Sequence, residues 1–509
     1  CVIMWLSKFN LKNIQSNKVT LPNDELFNLP EKVLQFGTGV LLRGLPDYFI
    51  DKANKQGVFN GRIVVIKSTD GGDATAFDKQ DGLYTICVRG IEDGNKLQEH
   101  IVCSAISRVL SAKSEWNKVL ECAHNPQMKI IISNTTEVGI QLVQDDIKRH
   151  PPVSYPGKLL AFLYERFKAF AGSTQSGMVI IPTELIVDNG KKLEAIVTEL
   201  AHLNGLEENF IDWLEKSNSF CNSLVDRIVP GKPDQSIKTE IENEMGYTDE
   251  LMLMTEVYRL WAIEADEKTA TVLSFAKTDN GVVIAQDINL FRELKLRLLN
   301  GTHTLSCGAA FLSGFSTVKD AMDDTQMYEF IKTLMQAEIA SAIPYKTTAE
   351  QTSAFSLNCL NRFQNPFIEH YWLSITVQYS SKMKMRIVPV LMQYYALYNK
   401  VPQNIAIGFA SYIYFMKAVK QDKGIYYGNL NGNNYPITDE KAFYFFEKWK
   451  QVPISTIAKS VLNDISLWGN DLTLLEGFAE AVQEKINEID DYGMAVVMNP
   501  IANKKSNVQ

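Results

Sequence analysis

A chain of 509 residues exceeds what one hydrophobic core usually organises, so two domains are expected. With 46% hydrophobic and 22% charged residues it has the make-up of a soluble globular protein, and a net charge of −8 argues against the basic face that nucleic acid requires. The seven cysteines form no Cys-x-x-Cys pair and the six histidines no short-spaced cluster, which gives no metal signature and fits reduced thiols in a cytoplasmic protein with a small metabolite as partner.

Residues 1–9 carry one basic side chain and no small-residue cleavage site, so no signal peptide is read there. From Glu31 to about Ile288, short β-branched runs alternate with helical patterns, the signature of a parallel sheet with crossover helices. Strands are expected over 33–36, 63–66, 129–132 and 178–181, and apolar stripes predict helices over 159–167 and 193–203, the second closed by Gly205. After Val282-Val283-Ile284 the strand signals fade, and helices are expected over 322–340, 386–399, 405–419, 440–450 and 472–489. The longest apolar run, 405–416, contains Gly408 and Ser411 and is too short to cross a bilayer, so it reads as a buried helix. Residues 420–438, rich in glycine and asparagine, read as a surface loop or lid. The fold class is an α/β Rossmann-type N-terminal domain, 1–288, followed by a mostly α-helical C-terminal domain, 289–509. The size, and the lack of an obvious coiled-coil pattern or exposed apolar stripe, permit a monomer.

Directly after the first expected strand comes Phe36-Gly37-Thr38-Gly39-Val40-Leu41-Leu42-Arg43. Gly37 would permit a tight turn, Gly39 would let a pyrophosphate approach the backbone at a helix start, and Arg43 could add a charge there. The third glycine of the common fingerprint is replaced by Leu42. At the end of the second strand Asp70 could accept ribose hydroxyls and favour NAD, whereas Lys67 could bind a 2′-phosphate and favour NADP; NAD is preferred. The third strand runs into Ser133-Asn134-Thr135-Thr136-Glu137-Val138-Gly139, whose polar groups suit a crevice at the carboxyl ends of strands and equally suit a plain turn.

The stretch Lys295-Leu296-Arg297-Leu298-Leu299-Asn300-Gly301-Thr302-His303 sets a lysine, a carboxamide and an imidazole within two and a half helical turns. At about 100° per residue, Asn300 lies roughly 140° and His303 roughly 80° around the axis from Lys295, so the three can face one cleft. A lysine partly desolvated there is a usable general acid or base; an ordinary amphipathic helix with Lys295 and Arg297 in solvent gives the same pattern.

These pieces resemble the polyol-specific long-chain dehydrogenases, the mannitol dehydrogenase family. The resemblance covers nearly the whole chain and rests on the Gly37-x-Gly39-x-x-x-Arg43 turn, Thr136-Glu137-Val138-Gly139, Asp188-Asn189-Gly190, Val225-Asp226-Arg227-Ile228-x-Pro230, the Lys295/Asn300/His303 helix, and Asn365-Pro366 with Lys382 downstream. It departs at Cys221, where polyol enzymes usually have a proline. It implies metal-independent hydride transfer between a nicotinamide cofactor and the carbonyl of an open-chain sugar or sugar acid. Lys295 would exchange the proton, Asn300 with Asn189 as a second donor would stabilise the alkoxide, and His303 would orient a neighbouring hydroxyl. Phe36, Gly37, Thr38, Gly39, Arg43, Asp70, Thr136 and Glu137 would line the cofactor.

Ser374 stands where mannitol-type members carry an arginine, and His370 where they carry an acid. Ser380-Ser381-Lys382-Met383-Lys384-Met385-Arg386 packs three cations into five residues, so His370, Lys382, Lys384 and Arg386 would bind a substrate carboxylate, unless Lys384 and Arg386 merely begin a solvated helix. Pro182-Thr183-Glu184-Leu185, in place of Ser-Cys-Asp-Asn, points to the same sugar-acid branch. A protein of another class, one that keeps the nucleotide fold without catalysis, would need none of Lys295, Asn300 and His303.

Overall fold

The computed structural model describes residues 4–67, 75–92, 94–135 and 138–498. The chain forms two compact units, Cys1–Ile288 and Asn289–Gln509.

The first unit is built on a six-stranded, wholly parallel sheet. Its strands are β1 (Glu31–Phe36), β2 (Arg62–Lys67), β3 (Ile106–Ser111), β4 (Ile130–Ser133), β5 (Val179–Pro182) and β6 (Ser219–Phe220). They lie in the order β3-β2-β1-β4-β5-β6, so the direction of winding reverses at β1 and β4, where such folds open a ligand crevice. Alternating residues feed two cores. Val33, Ile63, Val65, Ile130 and Ile132 pack with Phe49, Trp261 and Phe275 on one face. On the other, Leu34, Phe36, Val64, Ile66, Ile131 and Ile180 pack with Trp116 and with the helices Tyr155–Ala169 and Asn189–Leu203. Each such aliphatic side chain, fully removed from water, contributes about 1.5–3 kcal/mol, which is why near-continuous Ile/Val runs settle as central parallel strands.

Two further sheets belong to this unit. A mixed one joins Val19–Thr20, Asn95–Cys103, Tyr84–Glu92 and Leu253–Glu256, and a small one joins Ser223–Asp226, Leu260–Glu264 and Val282–Ala285. Arg227 ties them to the helix after β1: its guanidinium donates to the Glu256 carbonyl from Nε and Nη2, at 3.0 and 2.9 Å, and to the Gly44 carbonyl from Nη1 at 2.7 Å. Burial pulls the Arg227 pKa down to about 10, so this cation serves packing.

The second unit is mainly helical. Helix Thr302–Leu312 crosses Gln403–Phe415 closely enough that a Cβ on Gly308 would lie 3.1 Å from the Ser411 carbonyl, and one on Gly408 2.5 Å from Leu305 Cδ2. Among the described residues no helix is long and apolar enough to span a membrane, and the apolar run 405–416 is a buried helix. The segment expected as an irregular loop or lid over 420–438 is instead a three-stranded antiparallel meander, Lys420–Asp422, Ile425–Leu430 and Asn433–Ile437. Two of its glycines sit in hairpin turns, while Gly428 lies within the middle strand: Lys423-Gly424 and Asn431-Gly432 all have positive φ, between 50° and 88°, the geometry that two-residue turns demand. The helix expected over 322–340 is broken at Asp324, whose carboxylate caps the next helix by accepting from the Gln326 and Met327 N–H groups.

Candidate functional site

At the end of β1, Gly37 adopts φ +126°, and a Cβ there would lie 2.9 Å from Leu42 Cδ1 and 3.2 Å from the Asn134 carbonyl, so only glycine fits. Gly39 is different. It has φ −61°, which any residue can adopt, and an added Cβ would meet nothing within 4 Å. The protein does not require glycine at 39, and the exposed space in front of it is what a closely approaching ligand would use.

Other expected cofactor contacts are turned elsewhere. The Phe36 ring sits in the core against Tyr155, centroids 5.2 Å apart, leaving only its backbone at the strand end. Arg43 was expected to face a phosphate. It points inward instead, donating from Nε to the Thr38 carbonyl at 3.2 Å and from Nη1 to the Leu251 carbonyl at 2.7 Å, over the rings of Phe77 and Tyr84. It braces the turn from behind. Thr38 is half-buried, and Lys67 is half-buried at the end of β2. Asp70, Thr136 and Glu137 lie outside the described residues.

The polar edge after β4 is held by a side chain to which the sequence reading gave no role. Buried Glu184 accepts from Ser133 Oγ at 3.1 Å, from the Thr135 N–H at 2.8 Å and from Thr135 Oγ1 at 2.9 Å. Burial raises its pKa above the ordinary carboxylate value, against the pull of those donors. Asn189 also departs from the role expected of it. Its carboxamide nitrogen donates to the carbonyls of Pro182, Glu184 and Ser223 at 3.0–3.1 Å, and its oxygen accepts from the N–H groups of Gly190 and Ser223, both at 2.9 Å. Both amide protons are committed to backbone, leaving none for an alkoxide. Gly190 allows this packing, since a Cβ there would lie 2.4 Å from the Cys221 carbonyl carbon.

In the second unit Lys295 and Asn300 stand on a π-helical segment, Lys295–Gly301, that continues into helix Thr302–Leu312. This changes the angular argument. Hydrogen bonds in a π turn run between residues five apart, so Lys295 and Asn300 are stacked one turn from each other, where an α-helix would set them far apart around the axis. Both are half-buried. Single π turns of this kind recur at functional sites.

His303 follows one turn later. Its ring stacks on Phe363 with centroids 4.1 Å apart and meets the edges of His370 at 5.1 Å and Trp372 at 6.1 Å. Its Nε2 is shielded from solvent and has no hydrogen-bond partner. Burial, then His370, Arg362, Arg386 and Lys382, hold its pKa well below the ordinary 6.5, so the imidazole is neutral. His370 is lowered too, by burial and by Arg362 and Lys382. Lys382 donates to the Ile375 carbonyl at 2.9 Å, and its pKa is lowered by burial and by Arg386. Arg386, lowered by burial, donates from Nη1 to Thr304 Oγ1 at 3.0 Å and to the Asn300 carbonyl at 3.4 Å.

His303, His370, Lys382 and Arg386 therefore share one electrostatic neighbourhood. Lys384 is not part of it: its side chain is exposed, with Cε 3.7 Å from the position of a Cβ on Gly469. Arg362 is in the group, although no role is read for it from sequence; the signal that could have found it is its place one residue before Phe363, the ring on which His303 stacks.

A parallel sheet with a glycine turn at its switch point is the architecture of a nucleotide-binding unit, and together with its relatives it marks the chain as an oxidoreductase acting on CH–OH groups. The chain belongs to the mannitol dehydrogenase family: residues 31–277 match the mannitol dehydrogenase Rossmann domain and 287–490 the mannitol dehydrogenase C-terminal domain. It is similar to altronate oxidoreductase of Bacillus subtilis (strain 168), 38% identical with 92% of this chain and 95% of that one covered. Altronate oxidoreductase of Halalkalibacterium halodurans is 36% identical, with 94% of each chain covered. Among solved structures, Pseudomonas fluorescens mannitol 2-dehydrogenase in ternary complex with NAD and D-mannitol has the same fold, with TM-score 0.66 and 20% identity over 98% of this chain and 100% of that one. Substrate-free D-sorbitol dehydrogenase gives TM-score 0.76 and 20% identity over 97% and 100%. The protein is thus a dehydrogenase of the polyol and sugar-acid class.

Proposed function

We propose that the protein catalyses the reversible NAD-dependent reduction of tagaturonate to altronate in the cytoplasm, with Lys295 as acid and base. The observation that carries the carboxylate-bearing substrate is the charge around His303: after burial and His370, the groups that hold its pKa down are the cations Arg362, Arg386 and Lys382. The hydroxyls of a neutral sugar would accept from these cations too, but a uronate carboxylate adds its own charge and would form the stronger, shorter hydrogen bonds. The curated relatives named altronate oxidoreductase support altronate as the alcohol of that pair. The described cysteines are all free and buried, which suits a reducing compartment.

The dinucleotide, when bound, supplies the hydride. For its pyrophosphate the chain offers the open backbone at Gly39 and the rigid turn at Gly37. Lys295 Nζ would give its proton to the ketone oxygen as the carbonyl carbon is reduced, and would take it back in alcohol oxidation. Asn300, stacked one π turn away, would donate to the same oxygen as it gains charge. Neutral His303 would engage a neighbouring hydroxyl through its unpartnered Nε2. Lys382, Arg386 and His370 would hold the carboxylate.

The test follows NADH and NADPH oxidation with tagaturonate, fructuronate and fructose in parallel. The expected outcome is highest kcat/KM with tagaturonate and NADH. One lost charge-assisted hydrogen bond is worth about 1.5–3 kcal/mol, so fructose should trail by roughly 10- to 150-fold or more. Equal turnover of fructose would overturn the carboxylate assignment, and no turnover of any of the three would leave a nucleotide-binding protein.

A further inference from the structure

The described residues of the helical unit contain two further π turns, Leu334–Ile339 and Met383–Ile387, and the latter packs against the one that carries Lys295 and Asn300. A π turn widens the helix and disturbs the regular carbonyl ladder, so its backbone oxygens need other donors. Here each turn supplies an arginine to the other. Arg297, 7% exposed, donates from Nη1 to the carbonyls of Met385 at 2.7 Å and Arg386 at 2.8 Å, while its Nε is held by Glu293 Oε2 at 2.9 Å. In return Arg386 Nη1 reaches the Asn300 carbonyl at 3.4 Å and Thr304 Oγ1 at 3.0 Å, and that hydroxyl itself donates to the Asn300 carbonyl at 2.7 Å. Gly301 lets the other turn come close: the position of its absent Cβ lies 3.4 Å from Cδ1 of Ile387, whose side chain packs there.

We propose that Arg297 and Arg386 form a reciprocal clamp that fixes the register of the Lys295/Asn300 turn, and that Arg297 is a positioning residue for proton transfer. The proposal rests on the reading of Lys295 as acid and base. Arg297 lies two residues from Lys295 and three from Asn300, and its hydrogen bonds are made to backbone and to Glu293, so it acts on the reaction through the shape of the turn. Through Arg386, the carboxylate-binding cation is joined to the carbonyl of the residue that would stabilise the alkoxide. A bound carboxylate that settles Arg386 thereby settles Asn300.

The experiment compares R297M, R297K and T304V with the parent and with K295M, using tagaturonate and NADH, with kcat, KM, the pH profile of kcat and thermal midpoints recorded for each. A misplacement near 1 Å costs on the order of a hundredfold in rate. R297M should therefore lose about ten- to a hundredfold in kcat with KM for both substrates within about threefold and a displaced pH profile. R297K, which keeps a donor for one carbonyl, should recover part of the loss. T304V, nearly isosteric, should move kcat in the same direction by less. A wild-type kcat and pH profile in R297M, measured well below its melting midpoint, overturns the clamp. Where R297M does not fold, T304V decides: reduced kcat at an unchanged midpoint supports the clamp and unchanged kcat overturns it. Failure of the underlying reading looks different, because K295M would then keep its turnover.

Discussion

The two units build their sites from opposite materials. In the first, the feature proposed to meet a ligand is backbone: Gly37 and Gly39 expose it, while the neighbouring side chains Phe36 and Arg43 are turned into the core. In the second, the feature is a set of side chains, and the backbone beneath them is distorted to bring them together. A phosphate chain is recognised through N–H groups common to all residues, so its sequence trace is the absence of side chains. Proton transfer and carboxylate binding need particular functional groups, so their trace is residue identity, and the spacing between those residues is open to helix distortion.

The comparison is broken most decisively at Lys295. Removal of a positioned acid/base costs about a hundred- to ten-thousandfold, so Lys295→Ala should lose turnover by that factor while NADH binding, measured by fluorescence titration, stays unchanged. Weakened NADH binding of the same size would show instead that the residue serves the nucleotide.

The glycine turn gives a finer contrast within one motif. Gly37→Ala forces an alanine into φ +126° against Leu42 and the Asn134 carbonyl, and should destabilise the first unit by about 1–3 kcal/mol, read as a lower urea midpoint. Gly39→Ala has room and an ordinary φ, so stability should hold while the KM for NADH rises. If Gly39→Ala left the KM alone, the pyrophosphate would not approach there. In the cation cluster the same logic separates neighbours. Lys382→Ala should raise the KM for tagaturonate by roughly 10- to 150-fold. Lys384→Ala, on the exposed side, should stay within about twofold, and equal effects would restore the three-cation reading.

What the sequence made legible follows from that difference in materials. The β-branched runs predicted four central strands because full burial on both faces admits little else, and Gly37 was legible because a positive φ at a tight turn leaves few alternatives. The π turn was hidden, since counting at 3.6 residues per turn presumes the geometry in question. Asn189 and Arg43 were misjudged for a shared reason: both are polar residues beside a glycine motif, and only the folded chain shows that backbone carbonyls already occupy their donors. The 420–438 meander was missed because positive-φ hairpin turns use the same glycines and asparagines that irregular loops use. The strands of the 84–103 hairpin went unread because one of them, Asn95–Cys103, begins with Asn95, Lys96, Gln98 and Glu99 exposed on both its faces, which erases the apolar alternation.

The smallest expected effect sets the two units against each other in pH. In the first unit burial pushes Asp47 up to about 7, opposed by hydrogen bonds from Tyr84 and Gln35 and by Arg43, and reinforced by Asp51. Buried Asp249 and Glu184 are raised as well. A native carboxyl that keeps its proton up to about 7 binds more protons than its unfolded counterpart at 3.8, so this group makes the unit gain stability as pH falls through 7, and His100, lowered by burial, offsets part of the gain below 6.5. His303 and His370 have the opposite sign. Unfolded, they take up a proton near 6.5, whereas in the fold their lowered pKa values keep them neutral, so the second unit loses stability as pH falls below 6.5; buried Glu338, raised by desolvation, offsets part of this. Calorimetry between pH 8 and 5.5 should therefore show one thermal transition rising and another falling, by about 2–4 °C for each kcal/mol. Asp47→Asn should flatten the first slope and His303→Gln the second. Two transitions that move together, with slopes indifferent to both substitutions, would show that these buried groups do not set the pH response of their units, and that surface charge does.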